Sequence, residues 1–180
     1  MSRRMKMVDH VMGSPDARVT VIEYGDYECH QCGGASLVLQ VVLDELGDSV
    51  RYTFRNFPAR AAHPHAMAAA EAAESVAAHA GESAFWAMHA ILFENQDALE
   101  IDDLLGYAAA AGADVAAVAS DLATGVRRDR IEYDIQRALA DGVTRTPTFC
   151  VNGRHLDVHW TDTEAFTEAL QAAAREGALH

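Results

Sequence analysis

Two cysteines separated by two residues, Cys29 and Cys32, are the residues of this chain whose type and spacing most directly specify chemistry. A Cys-x-x-Cys pair at the start of a helix puts two sulfurs about one turn apart, close enough to bridge, with the first beside unpaired backbone N–H groups. The positive end of the helix dipole then favours an anion, and such thiols ionise anywhere from about 3.5 to 7.5, against about 8.5 for a free thiol. Cys29, nearer the helix terminus, is the expected nucleophile. Its attack on a disulfide would form a mixed disulfide that Cys32 resolves, and the same steps run backward would oxidise a substrate.

A lone Cys-x-x-Cys is also half of a zinc site. Here there is no second pair. Completing a tetrahedral site would require Cys150, or histidines such as His30, His63 or His65, to converge from separate segments, so no metal is expected. Three cysteines make no disulfide framework in a chain of 180 residues. Cys150, between Phe149 and Val151, reads as a buried, inert thiol. His63 and His65 flank Pro64 and read as capping or loop-packing residues, and Phe85 and Trp86 as core.

The elements that must position the cysteines are legible on either side. Arg18 to Tyr24 (RVTVIEY) is β-branched and ends at Gly25, the pattern of a short strand feeding a loop. Beyond Cys29 the apolar residues Leu39, Val42, Leu43 and Leu46 recur at helical spacing until Gly47. Val50, Tyr52 and Phe54 then alternate with Arg51, Thr53 and Arg55, which predicts a half-buried strand. Strand, helix and strand make a βαβ opening.

Between Pro64 and Gly142 the pattern is helical, interrupted at Gly81, Asn95 to Glu100, Gly112 and Thr124-Gly125. Strand character returns at Thr148 to Val151, turns at Asn152-Gly153 and continues from Arg154 to Val158. Thr161 with Glu164 predicts a capping box opening a last helix. The expected fold class is α/β, one compact domain with a core over 14–62 and 143–178 and a helical insertion over 63–142. Glu23 is unexpected in an otherwise apolar strand. Alternation puts it on the face of Val19 and Val21, and the competing reading is an edge carboxylate turned to water. Asp26 and Glu28 read as solvated loop acids.

The run Val19 to Gly33, with Phe54 to Pro58, His63-Pro64-His65-Ala66, Phe85-Trp86, Glu94-Asn95-Gln96 and Thr146-Pro147-Thr148, resembles the DsbA-like thiol-disulfide oxidoreductases of the thioredoxin superfamily from about Asp9 to the C-terminus. The resemblance implies a thioredoxin fold (βαβ–ββα) whose all-helical insertion caps the active-site side. It implies a cis peptide bond at Pro147, in a loop beside the cysteines that offers backbone groups to substrate, with Thr146 touching the pair. It also implies that Glu23 is a buried acid assisting proton transfer at the resolving thiol. Many relatives carry proline after the first cysteine, where this chain has His30-Gln31. Imidazole at His30 would stabilise the Cys29 thiolate, unless it simply faces solvent.

A net charge of −13 argues against nucleic-acid or anionic-membrane surfaces, since phosphate binding needs clustered Lys and Arg. Protein or small-thiol and disulfide substrates, with a redox partner, are the expected partners, and no cofactor beyond a Cys29–Cys32 disulfide is expected. The first twelve residues lack the apolar run of a secretory signal, and no stretch reaches the roughly 18 apolar residues of a spanning helix. A cytoplasmic location is the expectation, or an extracytoplasmic one for a chain trimmed after a signal. A glutathione-dependent isomerase or transferase, or a non-redox binding module, are the alternatives on the same fold.

Overall fold

The computed structural model describes residues 8–176. Five strands form one sheet: β1 (His10–Gly13), β2 (Val19–Gly25), β3 (Val50–Asn56), β4 (Thr148–Val151) and β5 (Arg154–His155), in the order β1-β3-β2-β4-β5. β2 and β3 run parallel, joined through helix α1 (His30–Leu46), and every other neighbour is antiparallel. The registers Val21↔Val151 and Glu23↔Phe149 carry the alternation of β2 across to β4. One face therefore presents Val19, Val21, Tyr52, Phe54, Phe149 and Val151 to the main core, and the opposite face presents Ile22, Tyr24 and Cys150 to a smaller cluster.

Five helices separate β3 from β4: α2 (Ala66–Ala80), α3 (Glu82–Glu94), α4 (Ile101–Ala110), α5 (Val115–Thr124) and α6 (Arg128–Ala140). Their boundaries fall at the expected interruptions, for clear local reasons. Gly125 adopts the left-handed conformation that ends α5, whose first turn is capped by the Asp114 carboxylate on the Ala116 and Ala117 N–H groups. Glu100 and Asp103 form a reciprocal capping box on α4. The chain closes with α7 (Thr163–Glu176), whose Phe166 and Leu170 are fully buried.

Three details depart from the sequence expectations. The sheet gains β1, ahead of where the core was expected to begin; its only buried residue is a histidine, so it carries no apolar alternation. His10 stacks on Phe85 and lies between the carboxylates of Glu74 (3.1 Å) and Glu82 (2.9 Å), which ties this edge strand to α2 and α3. β5 is two residues long rather than continuing to Val158. The last helix is capped by Asp162, which accepts the Ala165 N–H, rather than by Thr161, whose hydroxyl is engaged with the His159 ring at 2.7 Å.

Candidate active site

Cys29 is the N-cap of α1, so its sulfur stands where the first-turn N–H groups point. Its carbonyl accepts the Cys32 and Gly33 N–H groups at 2.9 and 3.2 Å, which winds the pair into the first turn. The pair is in its reduced form. Cys29 retains 8% exposure and Cys32 none, so one sulfur is presented and the other kept behind it.

The two ionise very differently. A hydrogen bond from the Cys32 thiol is the leading reason that Cys29 is held down to about 5; burial opposes this, and the Cys32 N–H, Thr146 and the Gln31 N–H reinforce it. Cys32 is pushed far up by burial, by its bond to Cys29 and by the charges of Glu23 and Cys29. At neutral pH the pair is therefore one thiolate and one thiol.

Glu23 is fully buried. Its Oε2 accepts the Tyr52 hydroxyl at 2.8 Å, while Oε1 meets no partner among the described residues. Burial lifts it to about 7, the Tyr52 bond pulls it back, and the Cys29 charge lifts it further. The acid and the pair act on one another: the Cys29 charge raises Glu23, and the Glu23 charge raises Cys32.

From the other side, the Thr146–Pro147 peptide bond is cis, and the Thr146 carbonyl oxygen stands 3.8 Å from the Cys29 sulfur. A cavity of about 330 Å³ opens there, lined by Gln31, Arg145, Thr146, Pro147 and Trp160 among others. The indole of Trp160 lies against α1, where a Cβ on Gly34 would come within 2.7 Å of the ring.

Of the remaining positions expected from the sequence, Gln31 is exposed at the rim of that cavity, and His30 turns outward, its side chain 76% exposed and 3.7 Å from the Asp97 carboxylate. Cys150 is buried on the opposite sheet face, across from Ile22. Among the described residues no group of three His, Cys, Asp or Glu side chains converges as a metal site.

Sequence reasoning missed three participants. Asp26 is no solvated acid: it is 2% exposed and its carboxylate takes the N–H groups of Glu28 and Ala59 at 2.8 Å each and the His63 ring at 2.7 Å. Glu28 likewise holds the His65 N–H and ring, at 2.6 and 2.9 Å. Gln96 donates from one amide nitrogen to both the Tyr27 and the Cys29 carbonyls, at 2.8 Å each. Its place in the Glu94-Asn95-Gln96 run was the available signal, but that run says nothing of where the amide reaches.

The thioredoxin family model matches residues 6–172. Among curated proteins, the Na(+)/H(+) antiporter NhaA of Herminiimonas arsenicoxydans is 38% identical over 168 residues, covering 93% of this chain and 26% of that protein. NhaA 3 of Salinispora tropica is 43% identical over 165 residues, covering 92% and 24%. The chain thus spans about a quarter of the length of the curated relatives it matches, and among the described residues no helix is long and apolar enough to cross a membrane. Among solved structures, oxidised BdbD from Bacillus subtilis superposes with a TM-score of 0.84 at 24% identity, covering 93% of each chain. The thiol-disulfide exchange protein α-DsbA2 from Wolbachia pipientis superposes with a TM-score of 0.78 at 16% identity, covering 91% of this chain and 86% of its own. At these identities the likeness is one of fold, and it extends through the helical insertion; together with a family match running nearly end to end, it means that the chain belongs to the thioredoxin family.

Proposed function

We propose that the chain is a thiol-disulfide oxidoreductase that exchanges disulfides through Cys29 and Cys32. The observation that carries the reading is the asymmetry of the pair: a partly accessible sulfur held as thiolate by the thiol that will later attack it and release the substrate. In the reducing direction the Cys29 thiolate attacks one sulfur of a substrate disulfide, forming a mixed disulfide and expelling the other sulfur as a thiolate. Cys32 then gives up its proton, attacks the Cys29 sulfur and releases the second substrate thiolate. Two electrons pass to the substrate and the protein is left with the Cys29–Cys32 disulfide. Oxidation of a dithiol is the reverse.

Glu23 is suited to take the Cys32 proton, because a buried acid titrating near 7 is poised to accept and return it. Thr146 and Pro147 border the nucleophile and serve as the docking edge for an extended substrate segment. Gln31 lies on the same rim. The substrates are protein or small-molecule disulfides and thiols, and a separate redox partner resets the pair. The compartment decides the direction: a reducing glutathione pool, as in a cytoplasmic setting, runs the pair as a reductase, and an oxidising one as an oxidase.

Insulin reduction driven by dithiothreitol tests the proposal. Cys29→Ser abolishes it, and Cys32→Ser accumulates a mixed disulfide detectable by mass. A folded, reduced wild-type protein that exchanges with neither insulin nor glutathione disulfide overturns the reading.

A further inference from the structure

The loop before α2 brings a second imidazole to the nucleophile, and nothing in the exchange steps uses it. His63 Nδ1 lies 2.7 Å from Asp26 Oδ2, and the Asp26 carboxylate is held on two further sides by the Ala59 and Glu28 N–H groups. The carbonyl of the same Asp26 accepts the Cys29 N–H at 3.2 Å. One buried acid therefore fixes both the backbone of the nucleophile and the ring of His63. That ring is 27% exposed, so it exchanges protons with solvent, while the Asp26 carboxylate beneath it has no exposure at all.

The charges around Cys29 make this imidazole consequential. Asp26, Glu28 and Glu23 bring carboxyl groups to the site, and a negative charge on any of them opposes a thiolate. Facing them, His65 is engaged with Glu28 and Glu100, and Arg60 of the same loop with Glu132 of α6. His30 sits in solvent with Asp97. Arg145 lines the cavity on the cis-proline side of the nucleophile, and His63 is the imidazole whose carboxylate partner, Asp26, also accepts the Cys29 N–H through its carbonyl. Burial alone would lower its affinity for a proton, but Asp26, followed by the charges of Cys29 and Glu28, raises it above the ordinary histidine value.

We propose that His63, anchored by Asp26, is a positioning residue that sets the acidity of Cys29: its proton offsets the charge of the Asp26 carboxylate, whose own backbone holds the nucleophile, stabilising the thiolate and making the Cys29–Cys32 disulfide more oxidising. The inference rests on the oxidoreductase reading for its consequence, though not for its measurement. Protonation of His63 and ionisation of Cys29 must favour each other by the same free energy.

Two measurements decide it. The Cys29 titration, followed by thiolate absorbance, moves up by about half a pKa unit or more in His63→Gln, and the equilibrium with glutathione disulfide shifts about threefold toward the protein disulfide. His63→Lys, which keeps a charge, moves less than His63→Gln. In the wild-type protein, the His63 midpoint read by NMR falls by a matching amount when the pair is oxidised, because the thiolate is gone. A folded His63→Gln protein with an unchanged Cys29 midpoint overturns the inference, as does equal displacement in the Gln and Lys variants, which would mark a purely structural role. Should His63→Gln fail to fold, the wild-type NMR comparison decides alone, and a His63 midpoint equal in both redox states overturns the proposal. Coupled titrations in a protein that does not exchange with glutathione would instead sink the oxidoreductase reading and leave the coupling standing.

Discussion

Glu23 shows how one residue ties stability to function. An acid whose folded pKa, about 7, lies above its ordinary value near 4.5 binds more protons folded than unfolded between those pH values. Stability therefore falls as pH rises through that window, by about 3 kcal/mol once the carboxylate is fully ionised. Urea denaturation of the wild type and Glu23→Gln at pH 5 and pH 8 isolates this, since Asp134 and His10 titrate alike in both. The variant gains on the wild type by a few kcal/mol on going to the higher pH, and resolution by Cys32 slows; a constant difference between the two would show that Glu23 does not titrate there. Position 23 was legible because a carboxylate breaks a period-two apolar pattern. Asp26 was not, because Gly25-Asp26-Tyr27-Glu28 has the composition of an exposed turn, and its burial comes from Ala59 and His63, some thirty residues further along.

At the scale of elements, the helix carrying the cysteines is held by the segment that follows α3. Gln96 fits only because Gly33 has no side chain: a Cβ there would lie 2.2 Å from Gln96 Oε1. Removing the amide in Gln96→Ala leaves two half-buried carbonyls without this donor and costs about 1–3 kcal/mol. Gly33→Ala displaces the same amide, so it destabilises the wild type despite alanine's helix preference of about 1 kcal/mol. In the Gln96→Ala background the three atoms nearest that Cβ are gone, and Gly33→Ala becomes stabilising. That reversal of sign in a double-mutant cycle of melting curves is the expected outcome, and additive losses would show that Gly33 and Gln96 do not act as one contact. The helices themselves were readable from periodicity and glycine punctuation. β1 was not, because an edge strand of four residues with one inward histidine depends for its place on Glu74 and Glu82, which lie on helices.

For the whole molecule, the layering followed from the order of patterns, strand-helix-strand, helices, then hairpin and helix, and the structure keeps that order. What the pattern does not contain is that folding itself acidifies Cys29, which links the redox state of the pair to the stability of the entire domain. The Cys29 pKa is depressed on folding, so the reduced protein draws stability from the thiolate in full above the unfolded thiol value near 8.5, and loses it as pH falls through about 5. The Cys29–Cys32 disulfide forfeits that contribution and closes only a very short loop, which restrains the unfolded chain little. Reduced protein should therefore show the higher denaturant midpoint at pH 7, and the gap should narrow as pH falls from 7 toward 5 and be closed by pH 4. Guanidinium titrations with and without reductant at pH 7 and pH 4 measure it. An oxidised form that is the more stable at pH 7 would mean that folding favours the disulfide, and the protein would then be a better reductant than its own unfolded chain.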